Sequence, residues 1–221
     1  MNEQVDLYCE RMGPEFWAEP INAWSNLAFI VSGLVCFYIW RRHTPDDRFA
    51  LFLVLLIFAQ ALGSFLFHTF ATRWAGLTDV LPIVIFIISY IAIGLRRFLG
   101  LGWLACAAFL LLFVGVVPGL SRLLEPIVGG SSVYLPALFT AFIVGFFCFP
   151  INRTVSIWIF SAGCVFAASL SFRILDEPIC SSFTVGTHFL WHIFNAITVF
   201  LLLRILIWHR AGYVVDEIEV R

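Results

Sequence analysis

The sequence contains no lysine: all thirteen of its basic residues are arginines, in a chain of 221 residues. Charged residues make up only 12% of the chain, and the formal net charge is −1. Binding to nucleic acid requires a concentrated basic surface, which so sparse a set of arginines does not supply. We therefore predict no nucleic-acid partner, and no feature of the sequence implies a protein partner.

Two further absences narrow the class of protein. The first twenty residues lack the basic start and short apolar core of a cleavable signal peptide, so we expect no removable targeting segment. Cysteine is scarce outside apolar runs, where a thiol packs as a small hydrophobic group. Only Cys9 and Cys180, of six cysteines, lie in polar segments, which makes them the candidates for a disulfide.

Apolar residues, by contrast, are abundant, at 62% of the chain with a mean hydropathy of +0.98. A transmembrane helix needs about 20 apolar residues, because the bilayer core offers its backbone no hydrogen-bond partners. We predict an all-α membrane protein, a single domain of residues 1–221 with seven transmembrane helices after a segment 1–20. The spans lie near Ile21–Trp40, Phe49–Phe70, Asp79–Leu95, Leu101–Val117, Val133–Phe149, Val155–Leu175 and Val185–Trp208.

The arginines indicate the orientation of these spans. Only Arg11, Arg73 and Arg122 fall on the side of the N-terminus. The opposite side holds seven: Arg41, Arg42, Arg48, Arg96, Arg97, Arg153 and Arg210. The positive-inside rule therefore predicts an exoplasmic N-terminus and a cytoplasmic C-terminus.

Three histidines lie at the exoplasmic ends of predicted spans, where an ionisable side chain is costly and is a functional candidate by default. His68 ends the second span, and His188 and His192 open the seventh. A spacing of four residues places His188 and His192 on one helical face, and Ser64 and His68 share a face in the same way. Asp79 begins the third span at a similar depth.

This set of residues suits a catalytic zinc ion. Three neutral imidazoles, from His68, His188 and His192, leave the fourth tetrahedral position for water, whose pKa the metal lowers to about 7. The Asp79 carboxylate can hold and deprotonate that water, and the Ser64 hydroxyl can orient it or donate to a developing oxyanion. The sequence thus predicts a metal-assisted hydrolase with its active site on the exoplasmic side.

Alternatives without metal remain open for each residue. His188 and His192 can hydrogen-bond a neighbouring helix. Gly63 and Ser64 can form a small-residue contact through which two helices approach. Asp79 can be a first-turn carboxylate favoured by the helix dipole, with Pro82 marking the start of that helix.

The pattern Ser64-x3-His68-x10-Asp79, followed by His188-x3-His192, resembles the alkaline ceramidase family. That family lies in a wider superfamily with adiponectin-receptor-like proteins and lipid-remodelling hydrolases. The matching segments are GSFLFHTFATRWAGLTD and THFLWHIFN, with YCE and AEPINAWSN near the N-terminus pointing to the ceramidase branch.

The resemblance implies a multi-pass membrane enzyme that cleaves the N-acyl amide of ceramide or a related N-acyl lipid, with a membrane lipid as its substrate. It also implies zinc on the three histidines, assistance from Asp79 and Ser64, and a Cys9–Cys180 disulfide. Two alternatives stay open: a lipid receptor or sensor of the adiponectin-receptor type, and a lipid-remodelling esterase. The absence of a long cytoplasmic loop argues against a coupling partner.

The resemblance further implies a calcium site in the N-terminal segment, with Asp6, Glu10 and Glu19 as its candidate ligands. The sequence departs from the family here, because Leu7 stands in the place of an acid and Asp6 is displaced by one residue. Calcium requires six to eight oxygen ligands. The alternative for Glu10, Glu15 and Glu19 is a solvated acidic face.

Overall fold

The computed structural model describes residues 1–214, and its regular structure there is helical, which confirms the predicted all-α class. A 3-10 helix, Gly129–Tyr134, separates α5 from α6. The α-helices are α1 (Pro20–Ser25), α2 (Leu27–His43), α3 (Arg48–Phe70), α4 (Arg73–Phe98), α5 (Trp103–Val128), α6 (Leu135–Cys148), α7 (Arg153–Ile179) and α8 (His188–Arg210).

Six helical stretches in the described part of the chain are long and apolar enough to cross a membrane, where the sequence predicts seven spans. The difference lies between residues 103 and 148, where α5, the 3-10 helix and α6 form one continuous stretch. Helix α6 has 14 residues, a length of about 21 Å, which is shorter than the bilayer core of roughly 30 Å.

The chain nevertheless reverses direction inside this stretch. Gly129 has a φ of 57°, outside the helical region. The Ser121 hydroxyl lies 3.4 Å from the carbonyl oxygen of Ser132, eleven residues later, which a straight helix does not allow. Ser156 at the start of α7 donates to the carbonyl of Gly145 near the end of α6. The chain therefore turns between α5 and α6 and does not continue as one straight helix.

Three helices extend beyond the spans predicted for them. Helix α4 begins at Arg73, six residues before the predicted start at Asp79. Helix α5 continues past Pro118 to Val128. Helix α7 continues past the predicted end of its span at Leu175, through Asp176 to Ile179.

The N-terminal segment packs over the turn between α3 and α4. Ala71 ends α3 in the left-handed conformation, with a φ of 45°. Its carbonyl accepts a hydrogen bond from the Val5 N–H at 2.7 Å, and the Arg73 N–H donates to the Glu3 carbonyl at 3.1 Å. The predicted Cys9–Cys180 disulfide is present and ties the same segment to the connection between α7 and α8. The N-terminal segment thus covers the end of the bundle where the histidines lie.

The opposite end of the bundle is closed by a buried ion pair. Both Asp47 oxygens accept hydrogen bonds from the Arg97 guanidinium, each at 2.6 Å. Asp47 also caps α3 through the Ala50 N–H. Burial alone would raise the pKa of the Asp47 carboxyl, but the hydrogen bonds and charge of Arg97 hold it below its usual value. Between the two ends, the core is apolar.

Candidate metal centre

The three predicted histidines converge at one buried point. His68 comes from the end of α3, and His188 and His192 come from the first two turns of α8. One ligand atom from each ring lies within 4.8 Å of the others, and the Nε2 atoms of His68 and His192 are 3.2 Å apart. None of the three is more than 2% exposed. This cluster can hold a metal ion.

Hydrogen bonds at the outer nitrogens fix two of the rings. His68 Nδ1 lies 2.5 Å from the Glu19 carboxylate, and His192 Nδ1 lies 2.6 Å from the Ser25 hydroxyl. A carboxylate only accepts hydrogen bonds, so Nδ1 of His68 carries the proton and Nε2 presents its lone pair to the cluster. Metal-binding histidines usually have an outer partner of this kind. His192 thus makes the predicted hydrogen bond to a neighbouring helix, α1, through Nδ1. Its Nε2 atom still faces the other histidines.

His188 is held differently. Its ring stacks on Tyr8, with the ring centroids 3.6 Å apart. Its backbone N–H and that of Thr187 donate to Asp176 Oδ1, at 2.8 and 2.6 Å, and this carboxylate thereby caps α8. His188 Nδ1 is buried and has no hydrogen-bond partner among the described residues. A buried ring nitrogen without a partner is costly in a purely structural histidine, and an incoming ligand would satisfy it.

Ser64 and Asp79 lie beside this cluster. The Ser64 hydroxyl is 3.4 Å from His192 Nε2 and interacts with the Asp79 carboxylate, which also accepts a hydrogen bond from Gln60 at 3.0 Å. Asp79 lies in the second turn of α4, and Pro82 lies inside that helix. The alternative of a first-turn carboxylate with Pro82 at the helix start is therefore wrong.

Gly63 explains how Asp79 comes to lie next to Ser64. A Cβ atom at Gly63 would lie 2.0 Å from the Thr78 carbonyl oxygen and 3.1 Å from the Asp79 nitrogen. Only glycine permits this approach of α4 to α3. The predicted small-residue contact thus exists at Gly63, while its neighbour Ser64 faces the histidines.

Sequence reasoning missed Arg173. Its guanidinium donates to the hydroxyls of Ser131, at 2.7 Å, and Tyr8, and its charge interacts with Asp79. Arg173 lies within the predicted span Val155–Leu175, so the rule that singled out the histidines applies equally to it. Burial raises the pKa of Tyr8 well above its ordinary value despite the opposing charge of Arg173, so Tyr8 remains a neutral phenol.

The candidate calcium ligands have other partners. Both Glu10 oxygens accept backbone N–H groups at the start of α1, from Ile21 at 2.6 Å and Asn22 at 2.8 Å. Glu19 pairs with Arg11 and His68, and Asp6 is exposed. Burial alone would raise the pKa of Glu19, but its interactions with His68 and Arg11 lower it below its usual value.

An apolar cavity opens next to the site. Gln60, Trp191 and Asn195 line it near the histidines, and Leu95 and Phe98 line it near the opposite end of α4. A cavity with a mostly apolar lining, and with Gln60 and Asn195 near the histidines, suits a ligand with a polar group and a long apolar tail.

Comparison with known proteins agrees with this geometry. The family model described as Ceramidase matches residues 8–220, nearly the whole chain. No curated protein matches the sequence significantly. Because this match covers nearly the whole chain, including both histidine-bearing helices, the chain belongs to the ceramidase family, whose members are hydrolases of amide bonds.

Proposed function

We propose that this protein is a zinc-dependent membrane amidohydrolase that cleaves the N-acyl amide of ceramide, or of a related N-acyl lipid, to a fatty acid and an amine. The observation that supports it is the position of three buried imidazoles and an adjoining Asp79–Ser64 pair beside an apolar cavity. Family membership supports the amide as the scissile bond.

The donor set favours zinc over a harder cation, because all three donors are imidazole nitrogens. His68, His188 and His192 would hold the ion, and two of them already have the outer partners that orient metal ligands. Bound there, zinc supplies Lewis acidity and makes a water molecule acidic enough to act as a nucleophile near neutral pH.

The chain's own residues account for the movement of protons. Asp79, held in place by Gln60, accepts the proton that water loses as its oxygen attacks the amide carbonyl. Ser64 donates a hydrogen bond to the oxyanion that develops on that carbonyl. As the carbon–nitrogen bond breaks, Asp79 returns the proton to the leaving nitrogen. The products are a fatty acid and an amine.

The apolar cavity would hold an alkyl chain of the lipid. Its lining on α4 extends from Pro82 to Phe98, a rise of about 24 Å at roughly 1.5 Å per residue. This is a large part of the bilayer core of roughly 30 Å. We therefore expect long-chain lipids to be better substrates than short-chain ones, because a short chain leaves apolar surface uncovered.

The test is hydrolysis by purified protein, followed through both products by mass spectrometry. Long-chain and short-chain N-acyl sphingosines, and an ester of the same acyl chain, should be compared. We expect release of fatty acid and sphingosine, fastest for the long-chain amide, and loss of activity when zinc is removed. Hydrolysis of the ester alone would make the protein an esterase, and no hydrolysis of any lipid would favour a receptor.

We also propose that α5 and α6 are separate crossings, giving seven spans with the N-terminus and the site on the exoplasmic side. The reversal at Gly129 and the excess of arginine at the opposite end support this topology. A Glu3→Cys variant, which introduces a thiol at an exposed position, should react with a membrane-impermeant reagent on intact cells. Labelling only after the membrane is opened would reverse the orientation.

A further inference from the structure

The structure has a buried arginine where the family resemblance implies calcium. Arg11 is 6% exposed and donates to oxygens of four residues. Its Nε atom lies 2.5 Å from Glu19 Oε1, and Nη2 lies 3.0 Å from the carbonyl oxygen of His68. Nη1 contacts the carbonyl oxygens of Gly13 at 3.0 Å and Glu15 at 3.5 Å. One carboxylate and three carbonyls thus surround a single positive charge.

These oxygens, and those of the remaining acids, do not fit a calcium ion. Both carboxylate oxygens of Glu10 are occupied by backbone N–H groups of α1. The second Glu19 oxygen contacts His68 Nδ1 and accepts from Asn22 Nδ2 at 3.1 Å. Asp6 is exposed and the side chain of Leu7 has no ligand atom. The six to eight free oxygens that calcium requires are therefore missing.

We propose that Arg11 is a built-in cation that takes the place of calcium in this segment, so that the protein binds no calcium. A guanidinium offers five N–H donors in a rigid plane and stays charged at every physiological pH. Its charge compensates the buried Glu19 carboxylate, which without a partner would be costly.

Arg11 is also a positioning residue for the histidine cluster. It binds Glu19, and Glu19 in turn fixes the ring of His68. It binds the His68 carbonyl as well, at the last full turn of α3. Partners at this distance from a metal tune its affinity through the orientation of a ligand. This part of the proposal rests on a metal at the histidines, while the calcium part does not depend on the proposed hydrolysis.

The first test uses the intact wild-type protein in detergent. Radioactive calcium binding by equilibrium dialysis and thermal unfolding with and without millimolar calcium chloride should show no bound calcium and no change in Tm. One calcium ion bound per chain, or a Tm that rises with calcium, would overturn the proposal. This result does not require activity, so it is independent of the proposed function.

The second test replaces the charge. Arg11→Met keeps much of the length of the side chain but leaves Glu19 uncompensated, so both the Tm and the zinc affinity should fall, the affinity by about tenfold or more. Arg73→Met is the matched control, because Arg73 makes an exposed ion pair with Glu3 in the same segment. It should change neither quantity. An Arg11→Met protein with wild-type Tm and zinc affinity would contradict the positioning role.

Discussion

One methyl group at Gly63 should move Asp79, the proposed general base, away from the histidine cluster. The Cβ of a Gly63→Ala variant would lie 2.0 Å from the Thr78 carbonyl oxygen, where ordinary contact begins at 3.4 Å. Helix α4 must then move away from α3 by about 1.4 Å. The obstacle is backbone rather than a flexible side chain, so the strain cannot be relieved by a change of rotamer.

The consequence for catalysis should exceed the consequence for stability. Overpacking costs about 1 to 3 kcal/mol, of which roughly 1 kcal/mol is recovered because alanine is the better helix former. A misplacement of about 1 Å at an active site can lower turnover by around 100-fold. His68, His188 and His192 do not lie on α4, so the zinc content should stay at the wild-type level.

The assay is fatty-acid release from an N-acyl sphingosine, with zinc content and Tm measured on the same samples. Gly76→Ala is the matched control, because its Cβ would lie 3.4 Å from the Phe67 ring, in ordinary contact. The control should keep most of its activity. Wild-type turnover in Gly63→Ala would refute the idea that this close approach positions Asp79.

Contacts outside the histidine cluster lead to three further predictions. Asp176→Asn should lower the free energy of unfolding by about 2 to 3 kcal/mol, measured by thermal or denaturant unfolding, because the buried carboxylate accepts three backbone N–H groups. Alkylation followed by mass spectrometry should label Cys9 and Cys180 only after reduction, and reduction should lower the Tm; labelling of both without reductant would contradict the disulfide. The pKa of Asp47 is lower in the folded protein than in the unfolded chain. The carboxylate therefore stabilises the fold above about pH 4, and this contribution is lost as the pH falls through the folded-state pKa. Asp47→Asn should flatten the acid limb of a curve of Tm against pH.

The apolar runs and the histidine spacing were enough to predict the all-helical class and the histidine cluster. Long apolar runs have few structural solutions in a bilayer, so hydropathy locates the spans. His188 and His192 share a face at any register of an α-helix, and His68 lies at the same end of its own helix. The pairing of Cys9 with Cys180 was implied by the family resemblance, and the structure confirms it.

The helix ends and the outer contacts were harder to predict. Hydropathy marks where a helix enters lipid, whereas α4 begins at the polar residue Arg73, before the apolar run. One partner of Glu19, His68, follows it by 49 residues, and local sequence patterns do not reveal such a contact. Arg173 could have been found, because an arginine inside an apolar span is itself a signal.

The measurement that tests the central claim most directly is metal content beside turnover, on the same purified samples of wild type, His188→Ala and Asp79→Asn. Elemental analysis should find about one zinc per wild-type chain. His188→Ala should lose zinc and activity together, because a ligand is gone. Asp79→Asn should keep its zinc while turnover falls about 100-fold or more, because only the base is gone. An active wild-type protein without zinc, or a fully active Asp79→Asn variant, would contradict the account.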